Sequence, residues 1–443
     1  MKGLLCITIV LLITLTGRAQ TPKQQSLDAY IDHLFKNKKM MGNVEISFKD
    51  SIIYAKSVGF SNVTTAEENN KNTKFRVGSL TKTYTAVLVL KAIEEGQLQL
   101  NDKLSSFYLY VKNAEKITIE QLLKHWTGIY NYTEIADEDL WEQKFHTEEE
   151  FINYLINEKS NFEPGTKYEY SNTNYAFLGF ILQKIYNKPF AEILKEKICC
   201  PLYLKNTYFS VETDRTKNEA LSYNIQDRYI VNAKVNFSVH FANGGIASTA
   251  IEVDNFLTPL FNGKLISAKS LEMMLPKNKG EYGMGIEKLP FDNPQGYTHN
   301  GRIENYFSEY WYFPKEKLGI VTLLNATNIY TSDIQTLLLQ YAYGNKYEIP
   351  NSNQTDEILE KDFKQIKGTY FEKDKKAFFT ISSDGKNMVF QASDAGQMFV
   401  RLEYEGNNIF EYEDMELQFF PSIKEAILTQ GNIIKKYKKL SKQ

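Results

Sequence analysis

Residues 75–96 read FRVGSLTKTYTAVLVLKAIEEG. Gly78 leads into Ser79, Lys82 stands three residues on, and an apolar run follows. Three residues is just under one helical turn, so a helix starting near Ser79 sets both side chains on one face. A serine hydroxyl is a poor nucleophile until a neighbouring base takes its proton. A partly buried lysine can be neutral enough to do so, or to relay the proton onward. The helix N-terminus adds backbone N–H groups and positive dipole, which favour negative charge developing beside Ser79. Ser79 is therefore the candidate nucleophile and Lys82 its activating partner. S-x-x-K also arises by chance, as a capped helix with a solvated lysine, so the rest of the chain must carry the decision.

Outward from this stretch the pattern is regular. The helix closes at Gly96, and its Val87, Leu88, Val89 and Leu90 are apolar on all sides, which predicts burial between layers. Upstream, Leu27, Tyr30, Ile31, Leu34 and Phe35 stripe an opening helix. Val44, Ile46 and Phe48 alternate, Lys49–Ser51 turns, and Ile52 to Val58 returns as a hairpin. Downstream, Thr118 with Gln121 and Thr147 with Glu150 form capping boxes ahead of apolar segments. Tyr175, Leu178, Ile181, Leu182 and Ile185 stripe a further helix. Residues 276–295 are rich in turns, and Tyr306 to Leu324 reads as two strands around the turn Pro314–Lys317.

Residues 348–357, with Pro350, Asn351, Ser352 and Asn353, read as a linker. Beyond them come short strands at Ala377–Ser382, Met388–Ala392, Met398–Tyr404 and Ile409–Tyr412, with turns at Asp384–Gly385 and Gly406–Asn408. That spacing predicts a small antiparallel β-barrel or sandwich of about ninety residues. Packing or dimerisation is its expected role, ahead of ligand binding. The expected division is therefore 1–19, 20–347 and 358–443, and a homo-oligomer through the last of these is the one protein partnership the reading admits.

The chain has 443 residues, of which 42% are hydrophobic and 24% charged. That length exceeds what one core usually serves. A net charge of -2 leaves no basic footprint for nucleic acid and no acidic tail. Lys2, the apolar run Leu4 to Leu15, and the small residues Gly17 and Ala19 form a signal peptide with a mature start near Gln20. Export to the periplasm or medium is the expectation, with no membrane span left after cleavage. Cys6 leaves with that segment, while Cys199 and Cys200 are adjacent, where a mutual disulfide would strain the backbone. An ordinary large core, rather than a disulfide framework, is expected to hold the fold.

Three further segments bear on chemistry. FEPGTKYEYSNTNY at 162–175 places Tyr170, Ser171 and Asn172 in a loop before a helix. A tyrosine near cations can lose its proton and serve as a base, and Asn172 can donate to a substrate amide carbonyl or simply cap the helix. THNGRIENYF at 298–307, leading into a strand, sets a titratable His299, cationic in one of its states, beside Gly301, where a substrate can approach the backbone. An edge strand there could offer the N–H of Arg302 to an oxyanion. ANGGIAST at 242–249 reads as a tight loop, to which we assign no chemistry.

SLTK at 79–82, YSN at 170–172 and HNG at 299–301, in this order, resemble the motifs S-x-x-K, Y-x-N and K/H-x-G of the serine β-lactamase and penicillin-binding protein superfamily. The likeness is greatest to its class C β-lactamase, D-alanyl-D-alanine carboxypeptidase and esterase branch, and spans about residues 25–345. TIEQLLKHWTGI at 118–129 and ANGGIASTAIEVDNF at 242–256 stand in the expected order. LISAKSLEMML and YGMGIE follow them.

The resemblance implies an α+β fold: a central antiparallel sheet flanked by helices, a helical region, and a small C-terminal lipocalin-like β domain. It implies Ser79 as acylated nucleophile, Lys82 as its proton partner, and Tyr170 as general base and leaving-group acid. Asn172 would orient the substrate amide. His299 would stand where Lys is usual, aiding leaving-group protonation or binding a carboxylate, and the N–H groups of Ser79 and Arg302 would form the oxyanion hole. No metal or organic cofactor is implied. His in the third motif belongs to the peptidases and esterases of the branch rather than its strong β-lactamases, and His125 is read as a packing residue. The reading is thus an exported serine hydrolase acting on a peptide, D-amino-acid amide or ester; the alternative is a binding or sensing protein on the same scaffold.

Overall fold

A computed structural model describes residues 22–134, 141–225, 228–278, 281–290, 293–345, 363–372, 378–383, 388–392, 400–406, 408–412, 415–430 and 433–440. The segment read as a signal peptide, the linker at 348–357 and the Asp384–Gly385 turn lie outside them.

Helix α1 (Pro22–Lys36) opens the described chain, followed by the hairpin strands β1 (Met40–Phe48) and β2 (Ser51–Val58). Helix α2 (Thr81–Glu94) begins the helical region, which continues through α3 (Ile119–Lys124), α4 (Glu148–Leu155), α5 (Asn172–Tyr186) and α6 (Ala250–Phe261). The chain returns to the sheet with β3 (Glu287–Lys288), β4 (Tyr297–Ile303), β5 (Tyr306–Phe313) and β6 (Leu318–Thr327), then closes with α7 (Thr331–Ala342). The six strands form one antiparallel sheet in the order β3-β4-β5-β6-β1-β2. Strands from the two ends of the region meet at β1–β6, so the helical stretch between them is a long excursion from a single sheet.

Each sheet face buries a core, as a layered α+β architecture requires. On one face α2 lies against the sheet, with Val87, Leu88, Val89 and Leu90 all 0% exposed, packed in one cluster with Tyr310, Val321 and Leu323. On the other, α1 and α7 cover Val44, Ile46, Trp311 and Ile320. Every residue of β5 and β6 is buried, which explains their nearly unbroken apolar and aromatic runs. Both expected capping boxes form, Thr118 with Gln121 and Thr147 with Glu150.

The nucleophile's helix starts later than its periodicity suggests. Gly78–Leu80 is one 3-10 turn and the α-helix begins at Thr81, because Gly78 enters in the left-handed region at φ +48. The segment 298–307, expected to lead into a strand, is itself mostly strand β4. Cys199 is buried and Cys200 exposed, without a disulfide, and burial pushes the Cys199 thiol up to about 12.

The C-terminal residues form strands β7 (Gly368–Glu372), β8 (Phe378–Ser383), β9 (Met388–Ala392), β10 (Val400–Gly406) and β11 (Ile409–Tyr412). Strands β12 (Met415–Phe420), β13 (Glu425–Gln430) and β14 (Ile433–Lys439) complete the set. They pair antiparallel in sequence order, and β7 pairs with β14 to close a barrel, which leaves no sheet edge. Tyr370, Phe379, Phe390, Leu417 and Phe419 fill its interior. Strands β7 and β12–β14 are additional to the four expected from the sequence. Among the described residues no helix is long and apolar enough to cross a membrane.

Candidate active site

Ser79 sits in the 3-10 turn and Lys82 in the first turn of α2, and the Lys82 Nζ lies 2.9 Å from the Ser79 Oγ. Lys82 is wholly buried. Its Nζ donates to the Asn172 Oδ1 at 2.7 Å and to the backbone carbonyl of Asn243 at 2.8 Å, both acceptors only at those atoms. A neutral amine has two N–H groups and one lone pair. With both N–H groups given to these acceptors, the lone pair is left to receive the Ser79 hydroxyl proton. Electrostatics agrees with the count, since desolvation holds Lys82 well below its ordinary range.

The Tyr170 hydroxyl donates to the Ser79 Oγ at 2.9 Å. Desolvation raises its phenol well above the usual range, so at neutral pH it keeps its proton. The expectation that nearby cations would ionise Tyr170 is therefore corrected, because the neighbouring lysine is itself desolvated and Tyr170 stands as a donor. Beneath it lies the His125 ring, 4.4 Å between centroids. His125 Nδ1 accepts from the backbone N–H of Ser171 at 3.2 Å and from the Asn174 Nδ2 at 3.0 Å. This residue, read as packing, also holds the Tyr170–Asn172 loop in place.

Asn172 does not cap α5. Ser171 is the N-cap, and the Asn172 side chain turns inward, its Oδ1 on Lys82 and its Nδ2 donating to Thr133 Oγ1 at 3.2 Å. Gly78 and Gly301 bring two backbone N–H groups together. A Cβ at Gly301 would stand 2.7 Å from the Ser79 N and 2.3 Å from the Val77 O. A Cβ at Gly78 would stand 2.7 Å from the Arg302 N. Only glycine permits this approach, which sets the Ser79 and Arg302 amides beside the nucleophile in the manner of an oxyanion hole. Strand β3 pairs only with Tyr297 and Thr298, so among the described ladders the β4 edge from His299 to Ile303 has no strand partner.

His299 departs from expectation. It is buried, its Nε2 lies 3.0 Å from the Tyr282 hydroxyl, and its Nδ1 lies 2.6 Å from the Asn300 carbonyl. The carbonyl can only accept, so Nδ1 carries the proton and Nε2 accepts from Tyr282. Desolvation lowers His299 to about 3. Burial thus favours the neutral state of the titratable His299, and both of its ring nitrogens are engaged.

Two contributors escaped sequence reasoning. Asn243, in the glycine-rich segment given no chemistry, anchors Lys82 through a carbonyl that no residue type advertises. Arg76, three residues before Ser79, is buried and donates to Ser210 O, Gly245 O and Glu212 O, with a 3.0 Å ion pair to buried Glu219. It fastens the nucleophile's approach strand to residues 210–245, and a lone charged residue among apolar neighbours was its only signal. Among the described residues no group of three or more His, Cys, Asp or Glu side chains could hold a metal ion.

This is the arrangement of an active-site-serine protein of the β-lactamase and penicillin-binding class. Residues 27–340 match the Beta-lactamase family, and the chain belongs to that family. It is similar to Protein flp of Staphylococcus aureus strain MW2, 27% identical over 333 residues that cover 71% of this chain and 65% of that protein. The matched region thus spans about two thirds of that relative's length. In fold it is similar to the D-amino acid amidase of Ochrobactrum anthropi SV3 complexed with D-phenylalanine, with TM-score 0.65, 19% identity, and 73% of this chain and 99% of that one covered. The octameric penicillin-binding protein homologue from Pyrococcus abyssi gives TM-score 0.65 and 22% identity, covering 94% of this chain and 99% of its own.

Proposed function

We propose that the protein is a serine hydrolase that cleaves an amide, peptide or ester through an acyl-enzyme on Ser79. One observation carries this reading: the Ser79 Oγ lies 2.9 Å from both the Lys82 Nζ and the Tyr170 hydroxyl. As Oγ bonds to the substrate carbonyl carbon, its proton passes to the Lys82 lone pair. The carbonyl π pair moves to oxygen, where the N–H groups of Ser79 and Arg302 receive it. Collapse breaks the bond to the leaving nitrogen or oxygen, which takes the Tyr170 proton. Lys82, which like Tyr170 lies 2.9 Å from the Ser79 Oγ, returns a proton to the phenolate. Water then replaces the leaving group and frees the acid along the same pair of residues. The scheme uses only this chain's groups.

The likeness in fold to a D-amino acid amidase favours D-amino-acid amides, and the neutral His299 disfavours β-lactams. A neutral ring with both nitrogens engaged offers no cation for a β-lactam carboxylate. Residues 1–19 favour action outside the cytoplasm, and the octameric relative makes self-assembly through the barrel a reasonable companion proposal. The test is a panel of D- and L-amino-acid amides, p-nitrophenyl esters and a chromogenic cephalosporin, run with wild type and Ser79→Ala. Turnover of an amide or ester that Ser79→Ala abolishes supports the reading. Turnover retained in that variant, or a wild-type adduct that never hydrolyses, overturns it.

A further inference from the structure

The C-terminal barrel touches the site. In strand β9, Met388 and Phe390 point into the barrel core, so Gln391 between Phe390 and Ala392 faces outward. Two guanidinium N–H donors require an acceptor opposite them, which assigns the Gln391 amide oxygen to the Arg302 side, where it accepts from both terminal nitrogens at 2.9 and 3.1 Å. The other described polar contacts of that guanidinium, to the Glu304 carbonyl and to Asn305 Oδ1, are both 3.5 Å. The group also lies over the Phe307 ring, 5.2 Å to its centroid. Arg302 stands on the part of β4 that has no partner strand on its outer side among the described ladders, and its own backbone N lies against Gly78, beside the Ser79 amide.

We propose that Gln391 is a positioning residue: by a two-pronged bond to Arg302 the barrel fixes the open end of β4, and with it the second oxyanion donor. This rests on the serine hydrolase reading above. Apart from its packing on the Gly78–Leu80 turn, this edge has no ladder among the described residues to fix it, and a shift of an ångström at a preorganised donor weakens transition-state stabilisation more than ground-state binding. The side chain of Arg302 therefore acts through its own backbone, and a residue of a separate β-barrel acts through that side chain.

The test uses the full chain and p-nitrophenyl butyrate as probe ester. Gln391→Leu is expected to lower kcat about 5- to 20-fold, a fraction of the 100- to 1,000-fold lost with a whole oxyanion donor, while KM moves less than about twofold. Gln391→Glu keeps an acceptor for both nitrogens and restores at least half of the activity. Arg302→Met, which keeps the backbone N–H, matches Gln391→Leu, and the double variant is no worse than either alone. Unchanged kcat in Gln391→Leu, equal loss in Gln391→Glu, or additive losses in the double variant would each overturn the proposal. If wild type fails to turn over the ester and Ser79 fails to take up a fluorophosphonate, the hydrolase reading falls instead, so the two failures are distinguishable.

Discussion

At the scale of single residues, the account turns on which groups carry protons. Lys82 and Tyr170 both lie within hydrogen-bond reach of Ser79, and burial favours the neutral form of each. A lysine lowered from 10.5 by desolvation is an active base above its shifted pKa. The acid limb of kcat/KM should therefore fall well below pH 10.5, with activity rising as pH passes through it. A limb near 10 would mean that burial leaves the Lys82 pKa unshifted, and activity that instead falls above pH 10 would mean that Lys82 works as an ammonium ion. Tyr170→Phe should lower kcat by roughly 100- to 10,000-fold with the fold intact, the usual span for one general acid or base. A loss under tenfold would remove Tyr170 from the proton path. The motifs made Ser79, Lys82, Tyr170 and Asn172 legible because each presents a side chain at a fixed spacing. The protonation states were not legible, since desolvation depends on the surrounding packing. Tyr282, which engages the Nε2 of His299, lies 17 residues from it in sequence.

At the scale of elements, buried charge holds the site's supports. Arg76 and Glu219 are 1% exposed each, and the pair ties the strand before Ser79 to its neighbours. Breaking such a pair leaves one uncompensated buried charge. Arg76→Met should thus destabilise by about 3–5 kcal/mol, read by chemical denaturation, and Arg76→Met with Glu219→Gln should recover much of it. No recovery in the double variant would show that the carbonyl contacts of Arg76, not the ion pair, carry the effect.

On β1 another buried acid sets a pH dependence. Burial, with the Asp254 charge adding to it, raises Glu45 to about 8, and burial raises Asp254 to about 6. Both folded values exceed the unfolded ones, so the native state holds more protons between them, and stability falls as pH rises from about 4.5 to 8. Glu45→Gln should flatten that slope in denaturation curves at pH 5 and pH 8, and an unchanged slope would exclude Glu45. The helices and hairpin were readable from periodicity. The delayed start of α2 was not, because it follows from the left-handed Gly78 packed against Arg302.

At the scale of the whole molecule, one sheet assembled from both ends of the catalytic region sets Ser79 against β4, and a closed barrel follows. The antiparallel sheet, the helical region and the C-terminal β region were all expected from the sequence. The closure of the barrel was not distinguishable from a sandwich, because β7 must find β14 across the full length of the segment. The contact of Gln391 with Arg302 was invisible for the same reason: they are 89 positions apart, and a lone glutamine carries no motif. The measurement that bears most directly on the central claim is intact-protein mass after exposure to a fluorophosphonate, with the adduct mapped by peptide digestion. The account predicts a single adduct on Ser79 in wild type and its loss or great slowing in Lys82→Ala. Correctly folded wild type with no adduct, or labelling of Ser79 at an undiminished rate in Lys82→Ala, would contradict it.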